Sequence, residues 1–193
     1  MPSPRLVLVA GPAASGKSTV SRALAARLGA ALFDLDTLSL PLLEANLEED
    51  PGFKDSARYR EFYREAEYRA LFDLAIENIG LGINCIATAP FTSERANPKL
   101  IAGLRARCAR PLYAVGIVVS IDLATQRRNL RARAARRDLR KLNDETASLS
   151  QTPATWDVDF ALTVSFDALS SDFDGVTNDL YDRLRQQQPE SFH

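Results

Sequence analysis

Residues Gly11-Pro12-Ala13-Ala14-Ser15-Gly16-Lys17-Ser18 set two glycines, a lysine and a hydroxyl at the spacing G-x-x-x-x-G-K-S. That combination is chemistry for a polyphosphate. Successive backbone N–H groups in a glycine-permitted loop, leading into the first turn of a helix, form a concavity of positive potential. Lys17 can reach the β- and γ-phosphates of a nucleoside triphosphate, and the Ser18 hydroxyl can ligate Mg²⁺. The expected nucleotide-binding residues are Gly11, Ala13, Ala14, Ser15, Gly16, Lys17, Ser18 and Thr19, with a nucleoside triphosphate and Mg²⁺ as the ligands.

Two more groups carry charge at useful spacing. Asp34-Leu35-Asp36 closes the second apolar run, and two aspartates two apart on a strand share a face, so both are expected to point toward the phosphates. Asp36 could also cap the following helix, with Thr37 as its first residue; the two roles are compatible. Farther along, Arg127, Arg128, Arg131, Arg133, Arg136, Arg137 and Arg140, with Lys141, crowd one helical stretch. They cannot all share one face, so some must be solvated, and a charged surface helix or a nucleic-acid patch would use the same residues.

The elements that must position these groups alternate along the chain. The apolar run 6–10 reads as a buried strand, 19–28 as a helix, and 30–34 as a second strand. A leucine-rich helical segment, 37–47, is interrupted by Pro41, and 48–52 is a turn. A long charged helix runs over 55–79 and is closed by Gly80 and Gly82. The third strand, 83–88, stops at Pro90. Ser93 caps a helix reaching about 107, with a break at Asn97-Pro98. Strand 112–121 follows, then the arginine-rich helix capped by Asp122, a strand at 160–164 and an amphipathic helix at 173–185. This alternation predicts a single α/β domain over 1–193, a five-stranded parallel sheet covered by helices on both faces in three α/β/α layers. Right-handed crossovers bring every strand's C-terminal end to one edge, so the glycine loop, Asp34-Leu35-Asp36, Thr88-Ala89-Pro90 and Ile121-Asp122 should converge there.

Composition narrows the class. At 193 residues and 46% hydrophobic, the chain can bury a full core. Its formal net charge of -1 supplies no general attraction to nucleic acid or to an anionic membrane. Cys85 and Cys108 lie at no metal-ligand spacing, and the one histidine is His193, which argues against histidine catalysis. No apolar run approaches bilayer length and the N-terminus leads straight into the first strand, so a cytoplasmic enzyme is expected.

Over almost its whole length the chain resembles the small P-loop kinases, the group holding gluconate kinase, shikimate kinase, chloramphenicol phosphotransferase and kinases filed under AAA-type ATPases. The phosphate loop and the arginine block carry most of the likeness. The resemblance implies the P-loop NTPase fold with a helical lid at about 131–151 and an acceptor-binding helical region at about 37–80. It implies that Asp34 orients Mg²⁺, directly or through water, that Asp36 accepts the proton of the acceptor hydroxyl or at least positions that hydroxyl, and that Arg133 and Arg137, with Arg136 as the other candidate, close over the triphosphate. Tyr63-Arg64-Glu65-Ala66-Glu67 is similar to the Phe-Arg-x-x-Glu element with which shikimate kinase holds its substrate carboxylate. Arg64 would then contact the acceptor, although an i, i+3 or i, i+4 surface pair with Glu67 or Tyr68 uses it equally well. Phe91, in Ala89-Pro90-Phe91, would line the acceptor side.

The third strand ends without a carboxylate, unlike those of adenylate and thymidylate kinases, and the glycine cluster specific to shikimate kinases is missing. The implied activity is transfer of the ATP γ-phosphate to a hydroxyl of a small molecule. A nucleic-acid 5′-hydroxyl or nucleoside kinase, and a regulatory NTPase or switch, are the alternatives. Which acceptor is used, and whether ATP or GTP, is not written in the residues.

Overall fold

The structure is a computed structural model and describes residues 4–50, 52–53, 56–133, 156–166 and 172–187. Its strands are β1 (Arg5–Ala10), β2 (Ala31–Asp34), β3 (Cys85–Ala89), β4 (Tyr113–Ile121) and β5 (Phe160–Phe166). All pair in parallel, in the order β2-β3-β1-β4-β5, so β1 runs through the middle of the sheet. The helices are α1 (Lys17–Leu28), α2 (Leu35–Glu49), α3 (Arg64–Gly80), α4 (Leu100–Arg107), α5 (Leu123–Arg133) and α6 (Phe173–Gln186).

The sequence of β1 explains the layering. After Arg5 it is apolar at every position, as a strand covered on both faces must be. Leu6, Leu8 and Ala10 point to one side, against Leu71, Phe72, Ala75 and Ile79 of α3 and Ile101 and Leu104 of α4. Val7 and Val9 point to the other, against Val20 and Leu24 of α1 and Leu180 and Leu184 of α6. The chain is therefore a three-layer α/β/α fold on a five-stranded parallel sheet. Cys85 lies wholly in this core, where burial, with Cys108 adding to it, pushes its thiol up to about 12. Among the described residues no helix is long and apolar enough to cross a membrane.

Three elements differ from the sequence reading beyond small shifts at strand ends. The second helix does not stop at Pro41 but runs through it, from Leu35 to Glu49. Leu35 and Leu43 are buried on either side of the proline and hold the helix across it, while the Thr37 carbonyl that loses a partner belongs to an exposed residue. The long helix enters α3 through a π turn, Tyr59–Tyr63, in which the Arg64 N–H donates to the Tyr59 carbonyl. That turn sets Tyr59 and Tyr63 edge-on against the Phe53 ring, with centroids 5.8 and 4.8 Å away. Ser93 caps no helix: its hydroxyl donates to Glu94 Oε1 at 3.1 Å, and α4 starts only at Leu100. Pro98 disfavours helical geometry at Asn97, whose Oδ1 instead accepts the Lys99 N–H at 3.0 Å.

Candidate active site

The glycine loop leaves the end of β1 and closes onto α1, whose first residue is Lys17. Gly11 is held against the neighbouring strand. A Cβ there would lie 2.5 Å from the Val119 carbonyl oxygen and 2.8 Å from Ser15 Oγ. Gly11→Ala is thus expected to lower stability by roughly 1–3 kcal/mol and weaken nucleotide binding, since β4 backbone cannot give way as a side-chain tip can. Chemical denaturation and nucleotide titration of the variant would check both.

Two residues of the loop are left-handed, Ala14 at φ 61 and Gly16 at φ 89. Gly16 occupies the N-cap of α1 without a side-chain cap, and no acidic residue stands in the first turn. The N-terminus of that helix thus has no side-chain cap competing with an anion. Lys17 is 8% exposed, with Nζ 3.3 Å from the Pro12 carbonyl, and Ser15 is buried with no hydrogen-bond partner for its hydroxyl among the described residues. This donor set, backbone N–H groups and a buried ammonium, fits a polyphosphate. The hydroxyl of Ser18 is a hard oxygen ligand of the kind Mg²⁺ takes beside phosphate oxygens. Helix α5 supports the loop from outside: Gln126 Nε2 donates to the Ala13 carbonyl at 2.9 Å and Asn129 Nδ2 to the Ala14 carbonyl at 3.2 Å.

Strand register brings the carboxylates to the same edge. Asp34 lies opposite Thr88, and Thr88 opposite Val9, two residues before the loop begins. The relation between Asp34 and Asp36 is not the expected one, however. β2 ends at Asp34, which is the N-cap of α2; its Oδ1 accepts the Asp36 N–H at 2.9 Å. Asp36 is thus a first-turn helical residue, and the two aspartates are joined by capping geometry rather than by strand alternation. Nor does Asp36 cap with Thr37 first; Asp34 caps with Leu35 first. The physical cause is the donor-rich end of a helix, where two carboxylates offset the dipole more favourably than on a continuing strand.

On the acceptor side, Arg64 is paired across the fold with Glu94, 2.8 Å between Nη1 and Oε1, and its Nη2 donates to Thr92 Oγ1 at 3.3 Å. Its guanidinium also lies 4.7 Å from the Tyr68 ring centroid. Neither expected surface partner decides its place alone: Tyr68 lies beneath it, and Glu67 instead accepts the Tyr59 hydroxyl at 2.8 Å. Desolvation pulls the Arg64 pKa down, but the hydrogen bond and charge of Glu94 outweigh it, so the net shift is upward. Phe91 is fully buried, its ring packed against Tyr68, Phe72 and Trp156. Its backbone is left-handed, φ 47, and is held at both ends: the N–H donates to the Tyr68 hydroxyl at 3.2 Å and the carbonyl accepts Arg95 Nε at 3.1 Å.

A family model for the AAA domain matches residues 6–152, from the first strand through the arginine block. The chain belongs to the AAA domain family. No curated protein matches it, whereas 182 chains of solved structures do. One is a protein of Chloroflexus aurantiacus j-10-fl provisionally assigned as a kinase, 18% identical over 96% of this chain and 98% of that one, TM-score 0.63. Another is the APS kinase of Mycobacterium tuberculosis, solved in complex with AMPPNP and APS, 20% identical over 96% and 99%, TM-score 0.61. A third is an unliganded sugar kinase from Janibacter sp. HTCC2649, 14% identical over 95% and 93%, TM-score 0.55. At these identities the likeness is one of fold.

In this AAA domain the structure brings Gly11 to Thr19, Asp34 and Asp36 to one edge of the sheet. Arg133 is the last residue of α5, four positions beyond Asn129, while Arg136, Arg137 and most of the lid interval 131–151 lie outside the described residues. Three residues were not singled out by sequence. Gln126 and Asn129 are hidden among arginines, and only their i, i+3 spacing after the Asp122 cap marks them as sharing a face. Arg95 is half-buried beside Phe91 and has no acidic partner among the described residues, which no local pattern announces.

Proposed function

We propose that this chain is an ATP-dependent phosphotransferase that moves the γ-phosphate of Mg-ATP to a hydroxyl of a small-molecule acceptor. The observation that carries the reading is the pair of carboxylates beside an uncapped phosphate-binding helix: Asp34 level with Thr88 and Val9, Asp36 in the next turn. A nucleotide-binding loop alone needs no such pair.

The loop N–H groups and Lys17 bind and neutralise the β- and γ-phosphates. Ser18 and Asp34 would hold Mg²⁺, which when bound offsets charge on the phosphate oxygens. Asp36 positions the acceptor hydroxyl and takes its proton as the hydroxyl oxygen attacks the γ-phosphorus. The bond from that phosphorus to the β–γ bridging oxygen breaks, and ADP leaves. Arg133 and Arg137 are assigned to the charge that spreads over the equatorial oxygens. Arg64, already neutralised by Glu94, offers the acceptor a fixed ion pair rather than a bare cation, and Phe91 acts through the turn it anchors. The similar APS and sugar kinases, named for small acceptors, and the net charge of -1 support a small molecule over a nucleic-acid end.

The test is incubation with Mg²⁺ and γ-labelled ATP against pooled hydroxyl metabolites. Label entering one pool supports the reading and begins to name the acceptor. Release of inorganic phosphate alone, at the same rate with and without every pool, would replace it with an NTPase or switch.

A further inference from the structure

Ala14 is the one non-glycine residue of the phosphate loop in the left-handed region, a conformation that crowds its Cβ against the following carbonyl oxygen. Such a residue persists where its surroundings over-determine it. Here the two peptide groups that define the Ala14 backbone are each tied to α5. The carbonyl before it, from Ala13, accepts Gln126 Nε2 at 2.9 Å; the carbonyl after it, its own, accepts Asn129 Nδ2 at 3.2 Å.

A trans peptide is planar, so its N–H points opposite to its C=O. Drawing the Ala13 and Ala14 carbonyls toward α5 therefore turns the N–H groups of Ala14 and Ser15 away from that helix, to the inner side of the loop. The Ser15 N–H shows the direction: it donates across the loop to the Pro12 carbonyl, with 3.3 Å between N and O, on the side away from α5. Gln126 is 3% exposed, and Asp122 fixes the helix start, its Oδ1 accepting the Thr125 N–H at 2.9 Å. The clamp is thus mounted on a capped helix, not on a mobile side chain in water.

We infer that Gln126 and Asn129 are positioning residues for the nucleotide: together they hold Ala14 in its left-handed turn and so aim the Ala14 N–H, and the side of the loop that the Ser15 N–H faces, at the phosphates. The inference rests on the nucleotide-binding part of the proposed function but not on the acceptor. A carbonyl left without its donor would relax toward solvent or toward the ligand, and its N–H would turn out of the cradle with it.

The test is calorimetric titration of Mg-ADP into the full chain and its variants, with melting temperatures of the nucleotide-free proteins. Gln126→Leu and Asn129→Leu, which keep volume but lose the donor, are each expected to raise Kd about tenfold. In an Ala14→Gly background the same changes should cost only about threefold, because glycine adopts the turn without help. Asn129 is only half-buried, so Asn129→Leu remains informative if Gln126→Leu fails to fold. A lowered melting temperature with unchanged Kd would make both residues packing groups and overturn the inference, as would equal penalties in the parent and Ala14→Gly backgrounds. If the parent chain binds no Mg-ADP, the nucleotide reading itself falls and takes the inference with it.

Discussion

Lys17→Ala should abolish phosphoryl transfer, with kcat/KM for ATP falling by at least about 10³-fold, while the chain stays folded. Removal of a single preorganised group that stabilises transition-state charge typically costs about 10²–10³. Lys17 is more than such a donor, because it carries a full charge on a largely buried side chain; the residue is 8% exposed. The variant keeps Gly16 at the N-cap and the loop N–H groups, so its shape survives but its strongest counter-charge does not. Thermal unfolding gives an independent readout. At a hundred times Kd, Mg-ATP stabilises a binding-competent chain by about 2.7 kcal/mol, and that upward shift in Tm should vanish in the variant. A variant that retains the shift and half the activity would remove Lys17 from the phosphate site.

Asp36→Asn is the second large effect. The change is nearly isosteric and keeps an acceptor oxygen, but it cannot take a proton at neutral pH. Loss of general-base catalysis costs about 10²–10⁴ in kcat, with the KM for ATP within about twofold of the parent. Asp34→Asn is the informative contrast. Asparagine is as good an N-cap as aspartate, so the bond to the Asp36 N–H and the start of α2 should persist. Its expected signature is an increased Mg²⁺ requirement that high Mg²⁺ partly restores, which Asp36→Asn should not show. Equal loss from both changes, rescued alike by Mg²⁺, would make Asp36 a metal ligand; acceptor-independent phosphate release unchanged in Asp36→Asn would end the transferase assignment.

The two carboxylates show how far local pattern reaches. Their presence after the second strand and their place at the sheet edge follow from composition and alternation. Their mutual geometry does not, because whether residue 35 continues a strand or opens a helix turns on the Asp34 side chain finding the Asp36 N–H, a bond of one residue's making. The acceptor side was less legible still. Arg64 has charged neighbours within its own helix, yet its anion is Glu94, thirty positions away, which only the packing of α3 beside the turn after β3 supplies.

What the sequence by itself determined is therefore the part governed by short-range rules. Glycine and lysine spacing defines the phosphate loop, runs of apolar residues define parallel strands, and their alternation with helices requires three layers with a common ligand edge. Only the tertiary structure decided the strand order that puts β1 in the middle, the partner of Arg64, and the grip of Gln126 and Asn129 on carbonyls more than a hundred residues earlier. These depend on which surfaces meet once the chain is closed. Sequence spacing carries dihedral preference and periodicity, whereas a contact across the fold is fixed by the joint packing of elements that do not neighbour one another along the chain.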